Sequence, residues 1–267
     1  MGDFELGVIG GGNMAEAILR GVTGRKFLFP DRIVVSDPSP ERREAIASLG
    51  IRAVEDNAVA AAQPRLLLAT KPQVLGEVLE EVAPQVDPEA VVISIAAGIR
   101  TGWIDEKLNR RGRIVRAMPN TPMLIGAGMS AVCPGPRAGD GEQRWVEKLL
   151  AASGRVVFVT EEMMDAVTAV SGSGPAYFFY LVEAMIEAGI AEGLPPSVAA
   201  TLAETTCAGA GAMLINTSDT PQELRRKVTS PGGTTQRAIE TMDADGLQEK
   251  LTAAVRAAAD RSRELGE

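Results

Sequence analysis

An α/β Rossmann-like domain with a parallel-rich sheet, followed by an all-α domain, is the fold class the sequence predicts. Three observations predict it. Short β-branched apolar runs alternate with helical segments over the first 160 residues, as in a parallel sheet buried on both faces. The first run ends in Gly10-Gly11-Gly12-Asn13-Met14-Ala15, a glycine-rich link between strand and helix. Beyond residue 160 strand candidates disappear and helix-period segments dominate, which places a boundary there, with domains over 1–160 and 161–267.

Residues 6–9 form the first strand, and an amphipathic helix follows from Glu16 to about Gly21. Residues 32–36 form the second, leading into Asp37-Pro38-Ser39-Pro40 and a helix that stops at Gly50. The third apolar run, 65–70, is closed by Lys71-Pro72, and the fourth, 90–95, by Ala96-Ala97-Gly98. A fifth covers 113–117, and 129–133 and 155–159 are candidates for further strands. Helices are expected over 165–192, 197–215, 222–227, 231–243 and 246–265. These are long, rich in Ala and Gly, and apolar over wide faces, which points to close packing and a subunit interface.

Composition narrows the function. The chain has 267 residues, 45% of them apolar and 23% charged, as in a soluble globular protein with core enough to fold unaided. Net charge is −8 with no basic run, which argues against nucleic acid as a partner. Cys133 and Cys207 lie far apart, without disulfide or zinc-ligand spacing. No signal peptide is read at the start and no run is expected to reach the length of a membrane span, so a cytoplasmic location is expected. Histidine is absent altogether. That removes the commonest general acid/base, the Ser-His and Cys-His pairs, and most zinc sites; no metal site is expected. Hydride transfer is a reaction that needs little proton transfer from the protein.

The 10–15 turn matches G-x-G-x-x-G/A in its proper strand–helix context. Gly10 would permit the tight turn, Gly12 the approach of a pyrophosphate, and Ala15 close helix–strand packing; Gly11, Asn13 and Met14 complete the cradle. The end of the second strand faces an adenosine ribose. Asp37 there would favour NAD, whereas Ser36, Ser39, Arg42 and Arg43 would suit the 2′-phosphate of NADP. Ala69-Thr70-Lys71-Pro72 and Ala96-Ala97-Gly98 lie past the carboxyl ends of strands, the ligand rim of an open α/β sheet. Met118-Pro119-Asn120-Thr121-Pro122 follows the fifth strand as a rigid loop. Ser171-Gly172-Ser173-Gly174-Pro175 interrupts a helical segment, either for close backbone packing or to clear space for a ligand.

The stretch Val228-Thr229-Ser230-Pro231-Gly232-Gly233-Thr234-Thr235 reads as a helix start, with Ser230 as N-cap and Pro231 at the first helical position. Gly232 and Gly233 leave backbone N–H groups uncovered, and Thr234 and Thr235 add hydroxyls. Such a turn suits a carboxylate or phosphate; the plainer alternative is an ordinary capped helix.

Together these segments resemble the pyrroline-5-carboxylate reductase family, which carries out the last step of proline biosynthesis. The resemblance rests on 9–15, 69–72, 96–98, 118–122, 165–168 running into 171–177, and 228–235, in the family's order and spacing. It implies a helical dimerisation domain, and dimers able to assemble into rings such as decamers. It implies NADPH or NADH as cofactor, with the 10–15 turn, Asn57, Lys71 and Ala97 matching positions that touch it. Glu161, Gly233, Thr234 and Thr235 match the pocket for pyrroline-5-carboxylate or L-proline, with Thr235 bonding the ring nitrogen. Two segments depart from the family pattern: Ser218-Asp219-Thr220, where many members carry an acidic residue and a histidine, and Arg225-Arg226-Lys227, where many carry an acidic residue or asparagine. The alternatives are a two-domain reductase of the β-hydroxyacid dehydrogenase type and a dinucleotide-sensing protein without turnover.

Overall fold

A computed structural model describes residues 4–266. Strands β1 (Leu6–Ile9), β2 (Ile33–Ser36), β3 (Arg52–Val54), β4 (Arg65–Leu68), β5 (Val91–Ser94), β6 (Arg113–Met118), β7 (Gly128–Pro134) and β8 (Gly154–Phe158) build one sheet. Its order is β3-β2-β1-β4-β5-β6-β7-β8. All neighbours pair parallel except β6 and β7. The exception has a local cause. Only a 3₁₀ turn, Thr121–Ile125, and a few flanking residues join β6 to β7, too little chain for a parallel crossover.

Helices α1 (Asn13–Gly24), α2 (Pro40–Ala47), α3 (Asn57–Ala61), α4 (Pro72–Val82), α5 (Thr101–Lys107), α6 (Asp140–Ala151) and α7 (Met164–Val167) accompany the strands. Because alternate strand residues face opposite ways, the sheet has two apolar layers. Leu67, Ile93 and Val115 pack with Ile18, Leu19 and Val22 of α1 and Val146 and Leu149 of α6. Leu66, Leu68, Val92 and Ile114 pack with Leu75 and Leu79 of α4 and Ile104 of α5. This is why β1, β2, β4 and β5 read as unbroken apolar runs.

The remaining helices are α8 (Gly174–Ala191), α9 (Pro196–Asn216), α10 (Pro221–Lys227), α11 (Thr234–Ala244) and α12 (Leu247–Glu264). By contact the chain separates into two compact units. One holds the residues up to Ser173 and those from Ala258 onward; the other is Gly174–Ala257. The change of class read at residue 160 falls just after β8.

In the second unit α8 and α9 pack together, yet α9 buries only Ala199 and Ala203 well. Phe178, Phe179, Tyr180, Leu202 and Ile215 are exposed. These are the wide apolar faces seen in the sequence. Against expectation, α9 is long and apolar enough to cross a membrane by length and composition alone, with a mean hydropathy of 1.4. Residues 207–215 form a run of apolar and glycine residues, whereas the first half is interrupted by Thr201, Glu204, Thr205 and Thr206.

Candidate active site

The parallel strands β1, β2, β4, β5 and β6 end at one edge of the sheet, and the sequence order reverses there between β1 and β4. Ligands of open α/β sheets bind at such a switch point. Gly10 follows β1 with φ +98°, and a Cβ at this residue would stand 2.8 Å from the Ala69 carbonyl carbon and oxygen. Only glycine fits both the dihedral and the contact. Its N–H donates to the Ser36 carbonyl at 2.8 Å, and the Ala69 N–H donates to Ile9 at 2.8 Å, so the turn is sewn to β2 and β4. Gly12 is the N-cap of α1, has no side-chain cap, and borders open space within 4 Å of its Cβ position. The first-turn N–H groups of α1, from Asn13 and Met14 onward, are therefore unscreened at the positive end of the helix dipole. Ala15 is buried against the sheet.

Charged groups at the end of β2 brace this turn. The Asp37 carboxylate accepts from the Gly11 N–H at 2.7 Å and the Ser39 N–H at 2.9 Å. Arg42 donates to the Gly11 carbonyl at 2.7 Å and to Glu16 at 2.9 Å. Hydrogen bonding by Arg20, with Arg42 adding to it, holds the Glu16 carboxyl below its ordinary range although burial opposes this. Arg43 donates to the Asp37 and Pro38 carbonyls. The groups considered for recognising a ribose or a 2′-phosphate are thus engaged inside the protein. Ser36 needs a correction as a direct cofactor contact: it is fully buried, and its hydroxyl donates to Asn57 Oδ1 at 2.8 Å. It positions the half-buried Asn57, whose amide also donates to Glu81 at 3.2 Å.

At the same edge, Ala69 and Thr70 lead to Lys71, the exposed N-cap of α4, with Pro72 at its first position. Ala97 lies in the loop between β5 and α5 and is partly exposed. Asn120 donates to the Ser171 carbonyl at 3.2 Å and accepts from the Met129 N–H at 2.8 Å. Residues Thr168–Gly172 form a π-helical turn, and a Cβ at Gly172 would collide with Met118. The neighbour of Gly172 is thus the end of a flexible side chain rather than another backbone, and a Cβ at Gly174 would meet open space.

Glu161 has work within this unit. Its carboxylate accepts from the Thr101 N–H at 2.9 Å, the Thr101 hydroxyl at 2.5 Å and Arg116 at 3.3 Å. Arg116 projects from β6 into the interior, its side chain 3% exposed. Burial, then the Glu161 charge, pushes the nearby Cys133 thiol up to about 11, which makes it an inert apolar residue rather than a nucleophile. Neither Thr101 nor Arg116 was expected to matter. An arginine inside an apolar strand buried on both faces was the available signal for the second.

In the second unit the turn before α11 differs from expectation. The N-cap is Gly233, not Ser230, and α11 starts at Thr234. Pro231 and Gly232, with Gly232 at φ +70° and the Gly233 N–H donating to the Ser230 carbonyl at 3.0 Å, follow the pattern of a type II turn. The Gly232 N–H donates to Gln236 Oε1 at 2.7 Å. The free donors are therefore not the glycine N–H groups but those of the first helical turn, Thr234, Thr235 and Gln236. Among the described residues, the hydroxyls of Ser230, Thr234 and Thr235 have no hydrogen-bond partner. Upstream, Thr220 and Glu223 form a capping box on α10, and Lys227 pairs with Asp219 at 2.6 Å. The two segments that depart from the expected pattern thus bind each other across α10.

A family model described as pyrroline-5-carboxylate reductase dimerisation matches residues 161–265, and one described as NADP oxidoreductase, coenzyme F420-dependent, matches 5–98. A pyrroline-5-carboxylate reductase of Synechocystis is 41% identical over 265 residues, covering 98% of both chains. The chain belongs to the pyrroline-5-carboxylate reductase family. A reductase of Corynebacterium melassecola is 42% identical over 98% of both chains. The solved pyrroline-5-carboxylate reductase of Coxiella burnetii shares 35% identity and a TM-score of 0.91 over 99% of both chains. That of Plasmodium falciparum, solved with NADP bound, gives 27% and 0.90 over the whole of both. As in other members of the reductase family, a Rossmann-like domain is joined to a helical dimerisation region. The apolar α8 and α9 lie inside that region, which accounts for their exposed faces.

Proposed function

We infer that the chain reduces 1-pyrroline-5-carboxylate to L-proline with NADPH or NADH. The observation that carries this reading is a complete dinucleotide turn in one unit and an uncapped, hydroxyl-rich helix start in the other, in a chain without histidine. When bound, the reduced nicotinamide supplies a hydride to the imine carbon. The residues do the rest. Gly12, Asn13 and Met14 present backbone donors to the pyrophosphate, with Gly10 and Gly11 holding the turn. Asn57, Ala69, Lys71, Pro72 and Ala97 line the path of the dinucleotide along the strand ends.

The N–H groups of Thr234 and Thr235 hold the substrate carboxylate, with Ser230 and the backbone of Gly232 and Gly233 shaping the turn. The Thr235 hydroxyl bonds the ring nitrogen. A protonated cyclic imine is already an electrophile, so no strong acid is required of the protein. Glu161 enters this scheme as the group that fixes Thr101, because Thr101 and Arg116 already engage both its oxygens. The exposed faces of α8 and α9 support dimers; rings of dimers such as decamers, and a cytoplasmic location, complete the reading from the family resemblance.

Addition of pyrroline-5-carboxylate to the purified chain with NADPH or NADH is expected to deplete the absorbance of the reduced nicotinamide and to yield proline. No depletion with either cofactor would overturn the reading. Initial rates with the two would also rank them.

A further inference from the structure

The loop between β5 and α5 is held from a direction that no motif announces. Gly98 has φ +80°, and a Cβ there would lie 2.7 Å from both the Ser262 carbonyl oxygen and Leu265 Cβ. The last turn of α12 therefore rests directly on the loop that carries Ala97. The helix end is hooked in place: Ser262, 2% exposed, donates its hydroxyl to Asp165 Oδ1 at 2.7 Å in the interior. Beyond it, a Cβ at Gly266 would press into the Gly98 carbonyl oxygen. All these residues belong to the unit that contains the sheet. Ala96 and Ile99 anchor the two sides of the loop in the apolar core, leaving Gly98 between them to meet the helix end. Downstream, Thr101 is held by Glu161. One short segment, residues 161–165, thus supplies two carboxylates: Glu161 pins the end of the loop, and Asp165 pins the helix that sits on its middle.

We propose that the last turn of α12 is a positioning element for the dinucleotide, with Ser262 and Asp165 as its hook and Gly98 as its seat. This rests on the reading that Ala97 borders the bound dinucleotide. The contact is made by the Ser262 carbonyl and by Leu265 Cβ, atoms fixed to the main chain rather than carried on the ends of long side chains. A shift of the helix end is therefore passed to the loop carbonyls and N–H groups instead of being absorbed by flexible side chains.

The test titrates NADPH and NADH into the purified chain and follows nicotinamide fluorescence. Ser262→Ala unhooks the helix, and Gly266→Ala pushes on the Gly98 carbonyl from a residue beyond α12 and outside the apolar core clusters. Each is expected to raise both Kd values about five- to tenfold, the effect of losing roughly one hydrogen bond's worth of preorganisation. Asp165→Asn, whose amide oxygen still accepts from Ser262, is expected to stay within about twofold of the parent. In turnover, the KM for NADPH should rise with Kd, while kcat at saturating cofactor and the KM for pyrroline-5-carboxylate stay near parental values. Unchanged Kd in Gly266→Ala, and in Ser262→Ala if that variant folds, would overturn the proposal even if melting temperature fell. Failure of the parent chain to bind either dinucleotide would instead sink the functional reading, and this proposal with it.

Discussion

Glu161→Ala is expected to lower stability by about 3 kcal/mol, because it strips the partner from a buried arginine. Arg116 is 3% exposed and Glu161 21%, so water reaches the pair from the carboxylate side only. That partial access is why the low end of the range for broken buried pairs applies. For a chain of this size the melting temperature should fall by roughly 6–10 °C. Glu161→Gln keeps an acceptor for Thr101 but removes the charge facing Arg116, and should fall between parent and alanine variant. The alanine variant also frees Thr101, so its affinity for NADPH should weaken as well. Thermal unfolding of the three proteins side by side checks this. A melting temperature for Glu161→Ala within about 2 °C of the parent would mean that the pair contributes little.

Thr235→Ala is expected to lower kcat/KM for pyrroline-5-carboxylate by about 100-fold, the scale of losing a positioned hydroxyl at a reacting nitrogen. NADPH affinity should be unchanged, since the dinucleotide turn lies in the other unit. Stability should not fall either. Thr235 is in the first turn of α11, its hydroxyl has no partner among the described residues, and alanine is the better helix former. Serine at this position should restore most of the activity. Steady-state kinetics and a dinucleotide titration on the same preparation separate the two effects. A loss of NADPH binding in Thr235→Ala would show the hydroxyl to be placed wrongly here.

How much was legible in the sequence depended on how local the determining contacts are. The 10–15 turn is readable because strand, glycines and helix are contiguous: Gly10 makes the tight turn at positive φ, Gly12 caps α1 beside open space, and Ala15 is buried. β3 was missed: three residues, beginning with an exposed arginine, become a strand only by pairing with β2. The start of α11 was read three residues early. Ser-Pro is a good helix opening in isolation, yet Pro231 followed by Gly232 at positive φ makes a turn instead. That shift moved the free donors from the glycines to the threonines. Ser36 is read as a cofactor contact because it ends the second strand, but it is buried and its hydroxyl donates to Asn57.

The clamp on the β5–α5 loop was out of reach. Glu161 to Thr101 spans 60 residues and Ser262 to Asp165 spans 97, and nothing in either local pattern links them. Gly98 illustrates the limit well. It is read as part of a ligand rim; what the structure shows is that it lies past the end of β5, at φ +80° with the helix end seated on it.

The central claim is that this chain transfers a hydride from a reduced nicotinamide to the imine carbon of a cyclic substrate. Turnover with NADPH carrying deuterium at nicotinamide carbon 4, prepared separately with each face labelled, tests it most directly by mass spectrometry of the proline formed. One of the two cofactors is expected to give proline with a single deuterium on the former imine carbon, and the other unlabelled proline. Proline free of deuterium from both, or label lost to solvent, would contradict the account.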